Sequence, residues 1–187
     1  MSKYDLLTHD YLLSILHYDE TTGVFTWRER TPDMFKDGNG RYTKERNCKC
    51  WNTKYAGKRA GHKNHLGRIE IGIDNLKFLS NVLAWFYVYG DWPTVDVDHI
   101  DMNKSNDSIN NLRLATRSQN MSNRTKQINN TTGYKGVCFD KARNKYYARI
   151  KANDKELFLG RFETAEEAHN AYFKAAKELH GEFARFG

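Results

Sequence analysis

Residues 97–124, VDHIDMNKSNDSINNLRLATRSQNMSNR, decide the fold. A predicted strand, Val95–Asp98, leads into a loop dense in Asn, Asp and Ser, and a second short strand follows at Arg113–Ala115. Thr116 stands three residues before Gln119, which is the spacing of a capping box, so a helix should begin there. The predicted order is strand, long loop, strand and helix.

The chemistry of this stretch points to metal-assisted hydrolysis. At the end of a strand, Asp98 and His99 lie on opposite faces, and a helix packed across the two strands could bring Asn120 beside one of them. Phosphodiester hydrolysis needs an activated water and neutralisation of the phosphate. Histidine can act as the base near neutral pH, and a carboxylate with an amide oxygen suits Mg²⁺ or Mn²⁺. An Asp-His pair alone is more often structural, so the interpretation depends on the added asparagines.

This string resembles the HNH (ββα-metal, or His-Me finger) motif of phage and intron-encoded homing endonucleases across residues 97–124. The preceding segment Tyr18–Pro93, with TGVFTW and LAWFYVYGDWP, is similar to the N-terminal part of the same phage family. The resemblance implies a nuclease with one divalent ion. It assigns the general base to His99, metal ligands to Asp98 and Asn120, and the residue that constrains the loop and orients the histidine to Asn111.

Two departures from this family are visible. Many relatives carry His-Arg where this chain has Asn81-Val82, and many carry glycine where it has Met102. The first change could remove an arginine that contacts phosphate. The arginines that we expect to bind DNA in its place are Arg113, Arg117 and Arg124.

The net charge of +7 is unevenly distributed. Residues 28–68 hold twelve Lys/Arg against four acids, and residues 132–162 hold eight against three. The first basic block also carries scattered aromatic residues, so it could follow phosphates and stack on bases. The alternative is a solvated loop with a few core anchors. Cys48 and Cys50 with two nearby histidines could form a zinc site, but three cysteines in this spacing favour ordinary thiols, and we expect no structural zinc.

The rest of the first part predicts a mixed α+β domain over residues 1–125. The apolar pattern of Tyr4–Tyr18 indicates a helix, and Val24–Trp27 a strand. Ile69, Ile71 and Ile73 alternate in a further strand, and Phe78–Tyr89 reads as a buried helix. The polar segment 126–131 is the predicted linker to a second domain at residues 132–187.

That second domain should contain a three-stranded antiparallel sheet packed on one helix. The predicted strands are Val137–Asp140, Tyr146–Ala152 and Glu156–Phe162, and Thr164 begins a second capping box with an Ala-rich helix behind it. By parity, Ala148 and its alternate neighbours face the helix, whereas the other side of the sheet is cationic and aromatic. Leu157 and Leu159 are expected on the core side, and a bulge at Gly160 would turn Arg161 outward.

Residues 132–181 resemble the AP2 DNA-binding domain. Tyr134-Lys135-Gly136-Val137, Leu159-Gly160 with Phe162, and the Ala-rich helix carry the match. Cys138 and Asp140 stand where plant members have arginine. The family reads DNA with its sheet, which implies a set of DNA-binding residues: Lys135, Tyr147, Arg149, Lys151, Phe158 and Arg161.

Together these features predict a site-directed DNA endonuclease of homing type that nicks double-stranded DNA, as a monomer or weak dimer. No apolar run approaches a membrane span, so we expect a cytoplasmic protein without a membrane partner. The alternatives are a non-catalytic, sequence-specific DNA-binding regulator on the same scaffold, and a nuclease directed at RNA.

Overall fold

Helices and strands are mixed along the chain, and a computed structural model describes residues 2–122, 130–152 and 155–184. The helices within these ranges are α1 (His9–Ile15), α2 (Lys44–Tyr55), α3 (Ser80–Tyr89), α4 (Arg117–Ser122) and α5 (Ala165–His180). The strands are β1 (Leu16–Asp19), β2 (Val24–Trp27), β3 (His62–Lys63), β4 (Ile69–Ile73), β5 (Leu76–Leu79), β6 (Asp96–His99), β7 (Leu112–Ala115), β8 (Val137–Asp140), β9 (Lys145–Ala152) and β10 (Lys155–Phe162). The predicted α+β class is confirmed. None of the helices described could cross a membrane, because each is too short or too polar.

The chain divides into two compact units, Met1–Leu114 and Ala115–Gly187. The predicted boundary at 125/126 leaves α4 in the first domain, whereas the structure groups α4 with the second unit. There α4 contacts the short 3-10 turn Gly181–Phe183. Most of the predicted linker lies outside the described residues.

The N-terminal segment is not the single helix that the sequence predicted. Helix α1 is capped by the Thr8 hydroxyl and ends at Ile15, and β1 then pairs antiparallel with β2. In β1 the buried Leu16 and Tyr18 alternate with the exposed His17, which is the period of a strand. The helical apolar stripe runs directly into this strand, so hydrophobicity alone does not show where the helix stops.

The β1–β2 hairpin packs against the loop that precedes β7. Gly23, at a φ of 71°, lies so close to this loop that a Cβ atom would fall 2.2 Å from the Ser108 amide nitrogen. The Glu20 carbonyl accepts hydrogen bonds from the Ser108 hydroxyl at 3.0 Å and from the Ile109 amide at 3.1 Å. The Tyr18 hydroxyl donates to the Asp107 carbonyl at 2.6 Å. The hairpin therefore fixes the backbone of residues 107–109.

Gly23→Ala is expected to lower the free energy of unfolding by about 3 kcal/mol, because it combines left-handed backbone strain with a clash against backbone atoms. Gly57→Ala is the matched control. Gly57 has nearly the same φ, 72°, but no atom lies within 4 Å of its added Cβ. It should lose only about 1 kcal/mol. Urea denaturation followed by tryptophan fluorescence measures both, and equal losses would contradict the close approach of the hairpin.

The core of the first unit combines buried residues of α1, the β1–β2 hairpin, a three-stranded sheet, α3, β6 and β7. The sheet order is β3-β4-β5, and β4 turns into β5 at Asp74 and Asn75, whose φ values are 46° and 64°. This turn explains why the predicted helix begins too early: residues 76–79 pair with β4, and α3 starts at Ser80. The helix ends at Tyr89, and Gly90 caps it in the left-handed conformation.

Helix α2 lies in the first basic block, for which the sequence predicted no helix. The Thr43 hydroxyl caps it, and Cys48 is its buried residue. Its sequence, KERNCKCWNTKY, has too few apolar residues for a recognisable stripe. The helix is anchored by Asn52, which bonds both the amide and the carbonyl of Arg30, and by Trp51, whose ring lies 4.1 Å from the Arg30 guanidinium carbon. The Cys48 thiol also donates to the Arg30 carbonyl, and Cys50 is exposed.

The second unit is the three-stranded sheet and helix that the sequence predicted. The sheet order is β10-β9-β8, and each strand agrees with its predicted bounds within one residue. Helix α5 begins with the Thr164–Glu167 capping box and packs its Ala168, Tyr172 and Ala176 on the buried face of β9. Gly136 lies against the Tyr172 ring, where a Cβ would come within 2.2 Å.

One prediction in this sheet was wrong. Leu157 is 41% exposed rather than buried, because it lies on the edge strand β10 while α5 mainly covers the central strand β9. The predicted bulge is present: the register shifts between Phe158 and Gly160, and Leu159 is the extra residue. Beyond the bulge, Arg161 pairs with Tyr147 and lies on the outer face.

Candidate functional site

Strand β6 presents the two residues at the centre of the motif to different surroundings. Val97 and His99 are buried, Asp96 is exposed and Asp98 is intermediate, so the strand alternates as predicted. The buried Asn81 donates from its amide to the Val97 carbonyl at 2.8 Å. Asn81, one of the departures from the resembling family, therefore ties β6 to helix α3.

His99 is paired with a buried carboxylate. Its Nε2 atom lies 2.8 Å from Asp107 Oδ1, and the two side chains are 5% and 2% exposed. An ionised carboxylate can only accept a hydrogen bond, so this contact places a proton on Nε2 and leaves the lone pair on Nδ1. In this arrangement the carboxylate orients the imidazole, as an acid does behind a histidine base.

Asp107 is itself held on its backbone side by the first hairpin. Burial raises the pKa of the Tyr18 hydroxyl, and the negative charge of Asp107 raises it further. The hydroxyl therefore stays protonated and donates to the Asp107 carbonyl. Asp107 is not among the site residues predicted from the sequence. In a loop rich in Asn, Asp and Ser it resembles a turn residue, and only its burial within this polar loop distinguishes it.

Asn111 closes the same loop at its other end. Its Nδ2 donates to Asp101 Oδ1 at 2.9 Å and to the Asn106 carbonyl at 2.8 Å, and its Oδ1 accepts from the Asp101 amide at 3.0 Å. Partial burial acts to raise the pKa of Asp101, but the hydrogen bonds from Asn106 and Asn111 outweigh it and lower that pKa. An ionised Asp101 thus stabilises the loop. Met102 has a φ of 64°, a backbone conformation that glycine adopts readily.

Asp98 faces an arginine. Arg113 on β7 donates to Asp98 Oδ2 from both Nε and Nη2, each at 3.3 Å. The Asp98 side chain is 18% exposed and the Arg113 side chain 11%. The structure therefore directs Arg113, a predicted DNA contact, largely toward the proposed metal ligand. This ion pair holds the carboxylate in a defined orientation.

Asp98 offers one partly buried carboxylate to a hard divalent ion. No group of three or more His, Cys, Asp or Glu side chains that could hold a metal occurs among the described residues. A single carboxylate with an amide oxygen is a donor set for Mg²⁺ or Mn²⁺, which keep several waters and bind phosphate oxygens directly.

The remaining residues predicted for the nuclease motif lie on or beyond helix α4. The Thr116–Gln119 capping box is confirmed by two hydrogen bonds, at 2.7 and 3.3 Å. Asn120 lies on this helix in the second unit, and Arg117 is exposed at its start. Arg124 lies outside the described residues.

The outer face of the second unit's sheet gathers most of the residues predicted to bind DNA. Tyr147 pairs with Arg161 across the strands, and Arg149 pairs with Phe158. The Tyr147 and Phe158 rings are 6.4 Å apart, and the Arg161 guanidinium lies 5.2 Å from the Phe158 ring. Lys151 is exposed one pair further along β9. Lys135 is part-buried in the turn before β8.

Two acids neutralise part of this face. Arg149 Nη1 lies 2.8 Å from Glu156 Oε1, and this hydrogen bond raises the pKa of the guanidinium. Asp140 lies 3.2 Å from Arg143 and 3.7 Å from Arg161. The acids orient the arginines while they reduce the positive charge that the face offers to phosphate.

Comparisons with known proteins agree with the motif. The pattern of the HNH endonuclease family matches residues 79–122. Protein 3.8 of Escherichia phage T7 is 37% identical over 90 residues, which are 48% of this chain and 74% of that protein. An uncharacterized HNH endonuclease of Acanthamoeba polyphaga mimivirus is 39% identical over 88 residues, or 47% of this chain and 44% of that protein. The chain therefore belongs to the family of the phage T7 protein and carries an HNH endonuclease domain at residues 79–122.

Proposed function

We propose that this protein is a metal-dependent endonuclease that hydrolyses a phosphodiester of double-stranded DNA. The buried contact between His99 and Asp107, inside the segment that matches the HNH endonuclease family, carries this proposal. Asp107 fixes the imidazole, and the Nδ1 atom of His99 takes the proton from the attacking water. Asp107 then stabilises the imidazolium that forms, as an acid behind a histidine base does in other hydrolases.

Asp98 and Asn120 would hold one divalent ion, Mg²⁺ or Mn²⁺. Such an ion, when bound, neutralises charge on the phosphate and on the leaving oxygen. Arg113 orients the Asp98 carboxylate, and Asn111 keeps the loop between β6 and β7 closed. The assignment of Asn120 as a ligand rests on its spacing within the matched motif.

The second unit would act as a DNA-binding module of AP2 type that directs cleavage to a site, as in a homing endonuclease. Its support is the outer face of the sheet, which presents two arginines, a lysine and two aromatic rings. A β-sheet face of this kind fits the major groove of DNA. With one active site per chain, a monomer or weak dimer would nick one strand, and we place this activity in the cytoplasm of a host cell.

Supercoiled plasmid incubated with the full-length protein tests the activity. In Mg²⁺ or Mn²⁺ we expect conversion to nicked circles, and in EDTA no conversion. Plasmid that stays supercoiled in both metals, although the protein binds it, would favour the non-catalytic regulator. Faster cleavage of RNA than of duplex DNA of the same sequence would favour the RNA-directed nuclease.

Two variants that each remove one charge, of opposite sign, test the outer face of the sheet. Arg149→Gln should weaken binding to a labelled DNA duplex about tenfold, within the range expected when one arginine contact is lost. Glu156→Gln should tighten it, because it releases Arg149 and removes a negative charge. Lys174→Gln and Glu178→Gln, which alter exposed residues of α5, are the matched controls. Fluorescence anisotropy measures the DNA affinity of all four variants. If neither Arg149→Gln on β9 nor Glu156→Gln on β10 changes this affinity, the sheet face does not bind DNA.

A further inference from the structure

We infer that helix α2 and the segment after it form an additional contact surface for the phosphate backbone of double-stranded DNA, separate from the nuclease motif and from the sheet of the second unit. This inference rests on the proposed DNA substrate. The surface, called here the basic surface, consists of exposed cations: Arg46, Lys49, Lys54, Lys58, Arg59 and Lys63.

The charge of this region is strongly one-sided. Residues 41–63 contain eight Lys/Arg and one acid, Glu45. Within the described ranges, no salt bridge engages any of these eight cations. Elsewhere in the protein, by contrast, Arg113, Arg149 and Arg161 are each paired with a carboxylate. Cations without neutralising acids attract a polyanion.

The helix presents its cations on one side. At 3.6 residues per turn, Arg46, Lys49 and Lys54 fall within less than half of the helix circumference, and Cys48 lies opposite them. Cys48 is buried, and Asn52 makes two hydrogen bonds to the Arg30 backbone, at 2.9 and 3.0 Å. The inner face is therefore fixed to the domain while the outer face remains available.

The segment after α2, which contains Lys58, Arg59 and Lys63, runs toward the loop between β6 and β7. The Gly57 amide bonds the Trp27 carbonyl at 2.9 Å, and the Ala60 amide bonds the Phe25 carbonyl at 2.8 Å, so this segment runs along β2. Past β3, the Leu66 carbonyl accepts from Lys104 Nζ at 3.4 Å. Since Lys104 belongs to the loop between β6 and β7, the basic surface ends beside the loop of the candidate active site.

This arrangement favours duplex DNA that continues past the cleavage site. A duplex bound at the loop would extend along a row of unpaired cations, and each phosphate contact releases counterions. No base-specific contact is required, so the basic surface would add affinity for any sequence. It would lengthen the footprint of the first unit.

The test is the salt dependence of DNA binding by the full-length protein, measured by anisotropy with a random-sequence duplex in EDTA to prevent cleavage. The variant Arg46→Gln/Lys49→Gln/Lys54→Gln should bind the duplex at least about tenfold more weakly. When log K is plotted against the logarithm of the salt concentration, its slope should be shallower by about three, one for each lost phosphate contact. The matched control, Lys77→Gln/Lys174→Gln/Lys177→Gln, removes the same charge from exposed positions elsewhere and should keep the wild-type slope.

Three results would overturn the inference. An unchanged slope for the α2 variant, or equal changes in both triple variants, would show that these cations make no specific contribution. Tighter binding of RNA than of duplex DNA, lost in the α2 variant, would assign the surface to RNA. A wild-type protein that binds no DNA would instead contradict the proposed function, which separates the two failures.

Discussion

Replacing His99 with alanine is expected to lower the rate of plasmid nicking by about a thousandfold, because a positioned general base contributes about 10² to 10⁴ in rate. Binding to the duplex should stay within about twofold of wild type, since His99 is buried and offers little surface to DNA. Single-turnover cleavage with protein in excess over plasmid measures the loss directly.

Because His99 is buried beside a carboxylate, its removal could also lower stability, and His99→Gln is therefore tested in parallel. Its side-chain amide can still donate to Asp107 but cannot take a proton from water at neutral pH. Both variants should be inactive, whereas His17→Ala, at an exposed position of β1, should be fully active. Activity above a tenth of wild type in a folded His99 variant would remove this residue from the mechanism.

Replacing Asp107 with asparagine is expected to reduce the cleavage rate about a hundredfold at saturating DNA. The amide nearly keeps the shape of the carboxylate but not the charge that stabilises a protonated imidazole. The DNA concentration for half-maximal rate should not change, because Asp107 is 2% exposed and cannot touch substrate. This split between rate and affinity identifies a positioning residue.

A spectroscopic measurement separates positioning from simple destabilisation. In wild type, long-range ¹H–¹⁵N NMR correlations should show the neutral His99 ring protonated on Nε2, and this preference should weaken in Asp107→Asn. Asp107→Ala should in addition lose about 3 kcal/mol of stability, because it leaves a buried imidazole without its partner. Asp10→Asn, on an exposed face of α1, is the control. Full activity of Asp107→Asn would reduce Asp107 to a structural role.

The second unit could be predicted almost completely because its signals are local. The alternation along β9 and the Thr164–Glu167 capping box each involve residues within a few positions of one another. Strand bounds therefore agreed within one residue. The exception, Leu157, depends on how far α5 reaches over the sheet, and this is a tertiary property that strand parity does not contain.

The first unit was harder because long-range contacts decide its local structure. Leu16–Asp19 continues the apolar pattern of α1, and only its pairing with β2 makes it a strand. Helix α2 lacks an apolar stripe and is anchored through Asn52 to a backbone segment more than twenty residues earlier. Neither relation can be recognised from a window of neighbouring residues.

In the candidate site, the resemblance assigned His99 as the base and Asn111 as the residue that constrains the loop, and the capping box predicted the helix start at Thr116. Neither feature pointed to the partner of the histidine. Asp107 is eight residues beyond His99 and becomes its neighbour only when Asn111 and Asp101 close the loop. Composition alone cannot distinguish it from the other polar residues there. The roles of Asp98 and Asn120 as ligands remain predictions.

The support that the β1–β2 hairpin gives to residues 107–109 limits how far the HNH domain can be shortened. The segment that matches the HNH family, residues 79–122, contains His99 and Asp107. It lacks Tyr18, which bonds the Asp107 carbonyl, and Glu20, which bonds Ser108 and Ile109 beside it. A fragment with these bounds would keep His99 and Asp107 but would lose the hairpin contacts that hold residues 107–109. We therefore expect a stable shortened form of this domain to begin before Leu16, so that the β1–β2 hairpin is kept.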